Sequence, residues 1–220
     1  LPNTVQWRGV VELLTQGAAD ADVIAASADA AEKDLRRAPN DPVFVETVRL
    51  LAMIPQAADG EAFGEELRAI GLAVGDHPGL MELVSATGAW LDRYRQQVPA
   101  GSDFTERARQ TLLGTMTVTI GSQLPGLLTA TPEDVQAACA RLAKPSAFSS
   151  FARTFFARLL SGTLASYLDR KLSTLVGPGQ RFANMGERQA FDATLDRYCM
   201  EATRIIREFA GGWYGKTIWR

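Results

Sequence analysis

The chain has 220 residues, of which 46% are hydrophobic and 22% are charged, and its formal net charge at pH 7 is −2. This is an ordinary globular composition, and the length suits one domain or two small, closely packed ones. With one histidine and two cysteines that lie 60 residues apart, the sequence excludes multi-histidine metal sites and CxxC zinc or redox motifs.

Charge changes sign along the chain. Residues 1–140 hold 10 Lys and Arg against 19 Asp and Glu, whereas residues 141–220 hold 13 against 6. We expect an acidic helical region over 1–130, with short helices and a weak indication of helix-turn-helix repeats. A basic helical hairpin with an aromatic C-terminal tail is expected over 131–220, and the two regions are expected to pack as one globular unit.

Signals for helix starts recur along the chain. Asp41 and Thr131 each precede a proline, and Asn184 stands three residues before Glu187. We predict helices near 4–16, 20–38, 42–57, 61–73, 78–97, 103–123, 131–143, 146–175 and 185–212. The sequence therefore predicts an all-α fold, with eight or nine helices in a helical bundle that includes a long C-terminal helical hairpin.

The stretch TMTVTI at 115–120 has two interpretations. Its alternation of Thr with Met, Val and Ile is the pattern of a half-buried strand. The same region carries apolar residues four positions apart, at Phe104, Ala108, Leu112, Met116, Ile120 and Leu124. This stripe favours a helix, and a lone strand would lack a partner, so we predict a helix with a strand as the alternative.

A membrane span has one candidate, at 151–172. Its longest uncharged run, between Arg158 and Asp169, has ten residues. That is about half of the ~20 residues that crossing a bilayer requires. We expect a buried helix here and no membrane span.

Heptad spacing marks the last predicted helix. Its apolar residues step by four and three through Phe191, Leu195, Tyr198, Ala202, Ile205 and Phe209. This coiled-coil-like seam suits long antiparallel packing against the 146–175 helix. The turn between the two helices contains Gly177, Pro178 and Gly179, which forbid a continued helix.

Cations and phenylalanines interleave after residue 140, as in proteins that grip single-stranded nucleic acid or lie on anionic membranes. The candidate nucleic-acid or anionic face consists of Arg141, Lys144, Arg153, Arg158, Arg170, Lys171 and Arg181. An apolar helix face that packs in the core, with solvated charged flanks, explains the same pattern. We favour this second interpretation.

Residues that carry most enzyme chemistry are few. His77 precedes a proline at a predicted helix start and is typical of a loop or capping residue. Cys139 and Cys199 lie on apolar helix faces and are interpreted as small core residues of a reduced, cytoplasmic chain, with a single disulfide as the alternative. No catalytic constellation is found, so we predict no enzyme activity, no cofactor and no metal site.

The chain ends in aromatic residues after Gly211 and Gly212. The partner-binding candidates are Trp213, Tyr214, Lys216, Ile218, Trp219 and Arg220. Trp, Tyr and Arg often anchor protein interfaces, so this tail contacts either another chain or its own bundle.

The functional prediction follows from the tail and the heptad seam. We predict a non-catalytic adaptor or assembly protein that binds a protein partner, or itself as a homo-oligomer, through the C-terminal helix and tail. The first alternative is a nucleic-acid-associated protein that uses the basic half. The second is a sensor domain that encloses a small apolar ligand.

Overall fold

The computed structural model describes residues 4–98, 103–126 and 129–204, and over these ranges the chain forms nine α-helices and no β-strand. The helices are α1 (Val5–Thr15), α2 (Asp20–Leu35), α3 (Pro42–Ala57), α4 (Phe63–Ala69), α5 (Leu80–Gln97), α6 (Asp103–Gly121), α7 (Pro132–Leu142), α8 (Pro145–Leu172) and α9 (Met185–Ala202). The prediction of an all-α fold is confirmed. Each predicted helix has a counterpart, with ends that differ by a few residues, except that the predicted end of the last helix at 212 lies outside the described residues.

Helix starts follow the predicted capping signals. The carboxylate of Asp41 accepts hydrogen bonds from the backbone N–H groups of Val43 (2.9 Å) and Phe44 (3.1 Å) at the start of α3. At the start of α7, the backbone N–H of Asp134 donates to the hydroxyl of Thr131, and the carboxylate of Asp134 accepts from the backbone N–H of Thr131. These bonds satisfy amide groups that a helix start leaves without partners.

The stretch 115–120 is helical, as part of α6. The stripe residues Ala108, Leu112, Met116 and Ile120 are each no more than 1% exposed. Burial of this continuous helix face outweighs the β propensity of the alternating Thr, Val and Ile side chains. The strand alternative is therefore wrong.

Two compact units make up the described residues. The first joins the described parts of Leu1–Ala38 and Phe156–Thr203, and so combines α1 and α2 with the second half of α8 and with α9. The second joins Pro39–Phe155, which contains α3 to α7 with the first half of α8, to Arg204, the last residue that the structure describes. In sequence, Pro39–Phe155 is an insertion into the first unit. The predicted regions 1–130 and 131–220 are defined by charge, and their role as domains stays a prediction.

The first unit consists of two helical hairpins, α1–α2 and α8–α9. Trp7 on α1 packs against Tyr167 on α8, with ring centroids 4.9 Å apart. Beyond the C-terminal ends of α1 and α8, Arg181 in the α8–α9 turn donates to the carbonyl oxygen of Ala18 in the α1–α2 turn over 2.6 Å. Both turns therefore lie at the same end of the unit. Its core includes Val10, Leu14, Ile24, Leu164, Leu168, Phe191 and Leu195.

The second unit is organised around α3, which packs against α4, α5, α6 and α7. Leu50, Leu51 and Ile54 on α3 are each no more than 2% exposed. Together with Met116 and Ile120 of α6, they line a narrow apolar void that has no room for a water molecule. The core of this unit is close-packed.

The buried stripe of α9 differs from the predicted heptad seam near its end. Phe191 and Leu195 are buried as predicted, but the stripe continues through Cys199 and Thr203, whereas Ala202 is exposed. Because α9 packs against α2 as well as α8, its buried face follows steps of four residues and not a strict heptad. The seam positions Ile205 and Phe209 lie outside the described residues.

The helix α8 is the longest of the described helices, with 28 residues. Leu159, Leu164 and Leu168 are buried, whereas Arg158 and Asp169 are exposed. None of the described helices combines the length and the apolar content that crossing a bilayer requires.

Candidate functional site

Arg188 fixes α9 on α8 in the C-terminal hairpin. Its side chain is only 10% exposed, and Nη2 donates to Oδ1 of Asp169 on α8 over 2.8 Å. Nη1 donates to the carboxylate of Asp192, one turn further along α9. The guanidinium also lies 5.8 Å from the ring centroid of Phe191. A charge withdrawn from water in this way needs its carboxylate partners, so the pairing ties the two helices together.

A second polar contact confirms the antiparallel register of the hairpin. The hydroxyl of Ser161 on α8 donates to the carboxylate of Asp196 on α9. Ser161 and Asp169 are eight residues apart on α8, and their partners Asp196 and Arg188 are eight residues apart in the opposite direction on α9. The long C-terminal hairpin predicted from the sequence is therefore confirmed.

Arg181 joins the turns of the two hairpins. Its side chain is 8% exposed, and Nη2 donates to Oδ1 of Asp20 over 2.8 Å and to the carbonyl oxygen of Ala18 over 2.6 Å. Nη1 donates to the carbonyl oxygen of Leu14, near the C-terminal end of α1, over 3.4 Å. Arg181 is one of the seven cations of the candidate anionic face, and the structure places it as a buried tie inside the first unit. The physical reason is that carbonyl and carboxylate acceptors at the turns surround its guanidinium.

The other six predicted cations divide equally between the units. Arg141, Lys144 and Arg153 belong to the second unit, and Arg158, Arg170 and Lys171 belong to the first. Nε of Arg141 donates to Oε1 of Gln123 over 2.7 Å. Lys144, Arg158 and Arg170 are exposed, whereas Arg153 and Lys171 are half-buried. Whether they act as one anionic-ligand face stays a prediction.

An open pocket of about 370 Å³ lies between the two turns of the first unit, a volume within the range of small-molecule sites. The carboxylate of Asp20 already accepts from Arg181, and the carboxylate of Glu187 accepts from the backbone N–H of Ala183. The charged groups of the pocket are therefore used within the fold. Its lining includes Gly17, Ala18, Asp20, Phe182, Glu187 and Ala190.

The predicted partner-binding residues lie outside the described residues; they are Trp213, Tyr214, Lys216, Ile218, Trp219 and Arg220. The structure describes the helix that precedes them. After α9 ends at Ala202, Thr203 is buried, and its hydroxyl donates to the carbonyl oxygen of Cys199 over 2.9 Å. The helix α9 is therefore held against its unit as far as Thr203.

Burial raises the pKa of both cysteine thiols. Cys139 in α7 and Cys199 in α9 are each 0% exposed. Their pKa values rise from 9.0 to about 12. A thiol that stays protonated at neutral pH is a poor nucleophile, and both residues are core residues as predicted. His77 is exposed in the loop between α4 and α5, also as predicted.

A polar cluster in the second unit was not predicted from the sequence. The side chain of Glu46 on α3 is 8% exposed, and it accepts a hydrogen bond from the indole N–H of Trp90 on α5 over 2.5 Å. Arg49 donates to both oxygens of Glu46 over 2.7 Å, and to the carbonyl oxygen of Ile70 over 2.9 Å. The hydrogen bonds to Glu46 raise the pKa of the Arg49 guanidinium above its ordinary value. Local sequence patterns do not reveal this cluster, because Trp90 and Glu46 are 44 residues apart.

Among the described residues, no group of three or more His, Cys, Asp and Glu side chains could hold a metal ion. The chain matches no protein-family model, no curated protein and no solved structure. Inference about function therefore rests on the residues and their arrangement.

Proposed function

We propose that the chain is a non-catalytic helical interaction protein, an adaptor or assembly factor. It binds a protein partner or a second copy of itself through its C-terminal helix and tail. The observation that carries this proposal is the anchoring of α9, which Arg188, Asp196 and Thr203 hold at its start, middle and end. The helix is fixed as far as Thr203, and the aromatic tail further along the chain, at 213–220, is the binding segment that we propose.

The chemistry of the tail supports an interface. Trp213, Tyr214 and Trp219 offer large apolar rings with a polar group at one edge, and Lys216 and Arg220 add charge. Residues of these types carry much of the binding energy at protein interfaces. We also place the protein in a reducing compartment, the cytoplasm, because both cysteines are free thiols.

The two alternatives have less support. Binding of nucleic acid through the basic half would draw on Arg181, whose buried guanidinium is paired with Asp20. A sensor domain would need an apolar cavity. The void between Leu51 and Met116 is too narrow even for water, and the open pocket of the first unit is lined in part by the charged side chains of Asp20 and Glu187.

Deletion of residues 211–220 tests the proposal. Helical content, measured by far-UV circular dichroism, should be retained because α9 and its partners remain. Oligomerisation, measured by sedimentation velocity, or the set of proteins that co-purify with the untagged chain, should be lost.

Substitutions within the tail provide the control. The double variant Trp213→Ala with Trp219→Ala should reproduce the loss, whereas Thr217→Ala should keep binding intact. If the truncated chain unfolds, the tail belongs to the protein's own core. If the truncated chain keeps both its oligomeric mass and its co-purifying proteins, the tail contacts no partner. Unfolding of the truncated chain and unchanged binding would each contradict the proposal.

A further inference from the structure

Trp90 is held at the surface of the second unit by residues from separate segments. Its indole N–H donates to Glu46 on α3. Gly71, with φ of +107°, lies against the indole so closely that a Cβ atom there would stand 2.5 to 2.8 Å from three ring carbons. On the next turn of α5, the guanidinium of Arg93 lies 5.8 Å from the ring centroid. Trp90 nevertheless stays partly exposed. Because these contacts fix its conformation before anything binds, the entropic cost of binding is lowered.

Burial of the Glu46 carboxylate beneath Trp90 is poorly explained as a contribution to the stability of the fold. The side chain of Glu46 is 8% exposed, and its charge is compensated by Arg49. Withdrawing such a carboxylate from water is costly, and an apolar side chain of similar volume is often equally stabilising or better. The pair does orient two groups at the surface, because Glu46 fixes both the indole of Trp90 and the guanidinium of Arg49.

The outer side of the cluster is aromatic and cationic. Arg93 is exposed, and within the part of the chain that the structure describes it forms no ion pair. The side chain of Arg49 is 38% exposed. Tyr94, one turn along α5 from Trp90, is half-buried and close enough to Arg49 to help raise the pKa of its guanidinium. Trp, Tyr and Arg are the residues most enriched at the energetic centres of protein interfaces.

We propose that Trp90, Tyr94, Arg49 and Arg93 form a docking surface for a peptide segment of a protein partner. The segment carries an apolar side chain next to a carboxylate. The rings supply the apolar contact, and Arg93 supplies the positive charge for the carboxylate. Arg49 can add a hydrogen bond through Nη1, since its Nε and Nη2 donate to Glu46 and Ile70. Glu46 does not repel this carboxylate strongly, because its own charge is buried and paired.

Nucleic acid fits this surface less well. The segment Pro39–Phe155, which holds the second unit, has 13 Asp and Glu against 9 Lys and Arg. This excess of negative charge opposes the approach of a phosphate backbone, whose binding depends on many cations at once. A peptide with one or two carboxylates needs only the local pair of arginines. The docking surface does not depend on the C-terminal tail.

Three fluorescein-labelled peptides of about twelve residues test the proposal by fluorescence anisotropy with the full chain. They share the same Leu and Phe positions and carry Asp, Lys or Ser between them. The Asp peptide should bind at least about tenfold more tightly than the Lys peptide. Arg93→Glu should abolish this preference, and Trp90→Phe should weaken binding of the Asp peptide, because the indole N–H and part of the apolar area are lost.

Arg107→Glu is the matched control, since it makes the same change in charge on a half-buried residue of α6 in the same unit. This variant should keep most of the preference for the Asp peptide. Four results would overturn the proposal: no binding of any peptide, equal affinity for all three, an equal loss in Arg93→Glu and Arg107→Glu, or stronger competition by single-stranded oligothymidylate than by the unlabelled Asp peptide. The last result would assign the surface to nucleic acid.

Discussion

Arg181 and Asp20 form an ion pair over 2.8 Å that joins the α8–α9 turn to the start of α2. The side chain of Arg181 is 8% exposed and that of Asp20 is 39% exposed, so the arginine depends on the pair more than the aspartate does. The two residues are 161 positions apart, and the segment Pro39–Phe155 of the second unit lies between them in the sequence.

Arg181→Ala should lower the free energy of unfolding by roughly 2–3 kcal/mol, because Asp20 and the carbonyl oxygen of Ala18 both lose their donor. Water can reach Asp20, which keeps the loss below that of a fully buried pair. Urea denaturation followed by circular dichroism measures the change. Asp20→Asn retains an acceptor but leaves the buried charge of Arg181 without a counter-charge, so it should lose a comparable amount. A loss below about 0.5 kcal/mol for Arg181→Ala would contradict its role as a tie.

Arg188→Leu should be milder, with a change in unfolding free energy of about 0–1 kcal/mol. The side chains of its partners are 64% exposed for Asp169 and 44% exposed for Asp192, so water can solvate both carboxylates once the arginine is gone. Leucine also preserves apolar contact with Phe191. Thermal unfolding of Arg188→Leu and of Arg181→Ala compares the loss of stability in the two variants. If Arg188→Leu is the more damaging, the hairpin depends on the charge and this ranking is wrong.

Gly71→Ala should destabilise the protein by roughly 2–4 kcal/mol. The backbone at Gly71 has φ of +107°, a conformation that L-residues rarely adopt, and the added methyl group would overlap the ring of Trp90. Gly60→Ala is the matched control, because nothing lies within 4 Å of a Cβ atom there. Its unfolding free energy, measured in urea, should stay within about 0.5 kcal/mol of the parent value. Equal effects of the two substitutions would show that Gly71 does not support Trp90.

Stability should fall as the pH rises from about 9 towards 12. The pKa of Cys139 and of Cys199 is about 12 in the folded chain, against an ordinary value of 9.0. In this range the thiols of the unfolded chain ionise while those of the folded chain stay protonated, so rising pH favours unfolding. Below pH 9 both states are protonated, and the stabilising contribution is fully present.

Each buried thiol adds a slope of up to about 1.36 kcal/mol per pH unit in this range. Because other groups titrate there too, the measurement is the difference between the parent chain and the double variant Cys139→Ala with Cys199→Ala. The parent should lose stability faster as the pH rises. If the stability of the parent and of the double variant falls in parallel with pH, the folded state does not keep the thiols from ionising.

Predictions from the sequence succeeded where the interacting groups are close together in the chain. The capping bonds of Asp41 and of Thr131 involve residues two or three positions away. The apolar stripe of α6 repeats every four residues, and it predicted a helix at 115–120 in spite of the alternating pattern there. Both signals are set by the geometry of a single helix.

The candidate sites were harder to predict because exposure is not a local property. Counting cations made Arg181 a candidate for a basic face, whereas its hydrogen-bond acceptors come from Leu14, Ala18 and Asp20, which no local pattern connects to it. The Glu46–Trp90 pair was missed for the same reason. A glutamate on an otherwise apolar helix gives a weak signal, and its meaning depends on which helix packs against it.

The sequence by itself determined the helical class of this protein, the positions of its helices and the C-terminal hairpin. Helix starts, apolar stripes and the glycines of the turn at 177–179 act over a few residues, so they are readable from the chain alone. Only the tertiary structure decided which polar side chains leave water and which remain at the surface. The partners of Arg181 and Glu46 stand up to 167 and 44 residues away, and such pairs exist only once separate helices have packed together.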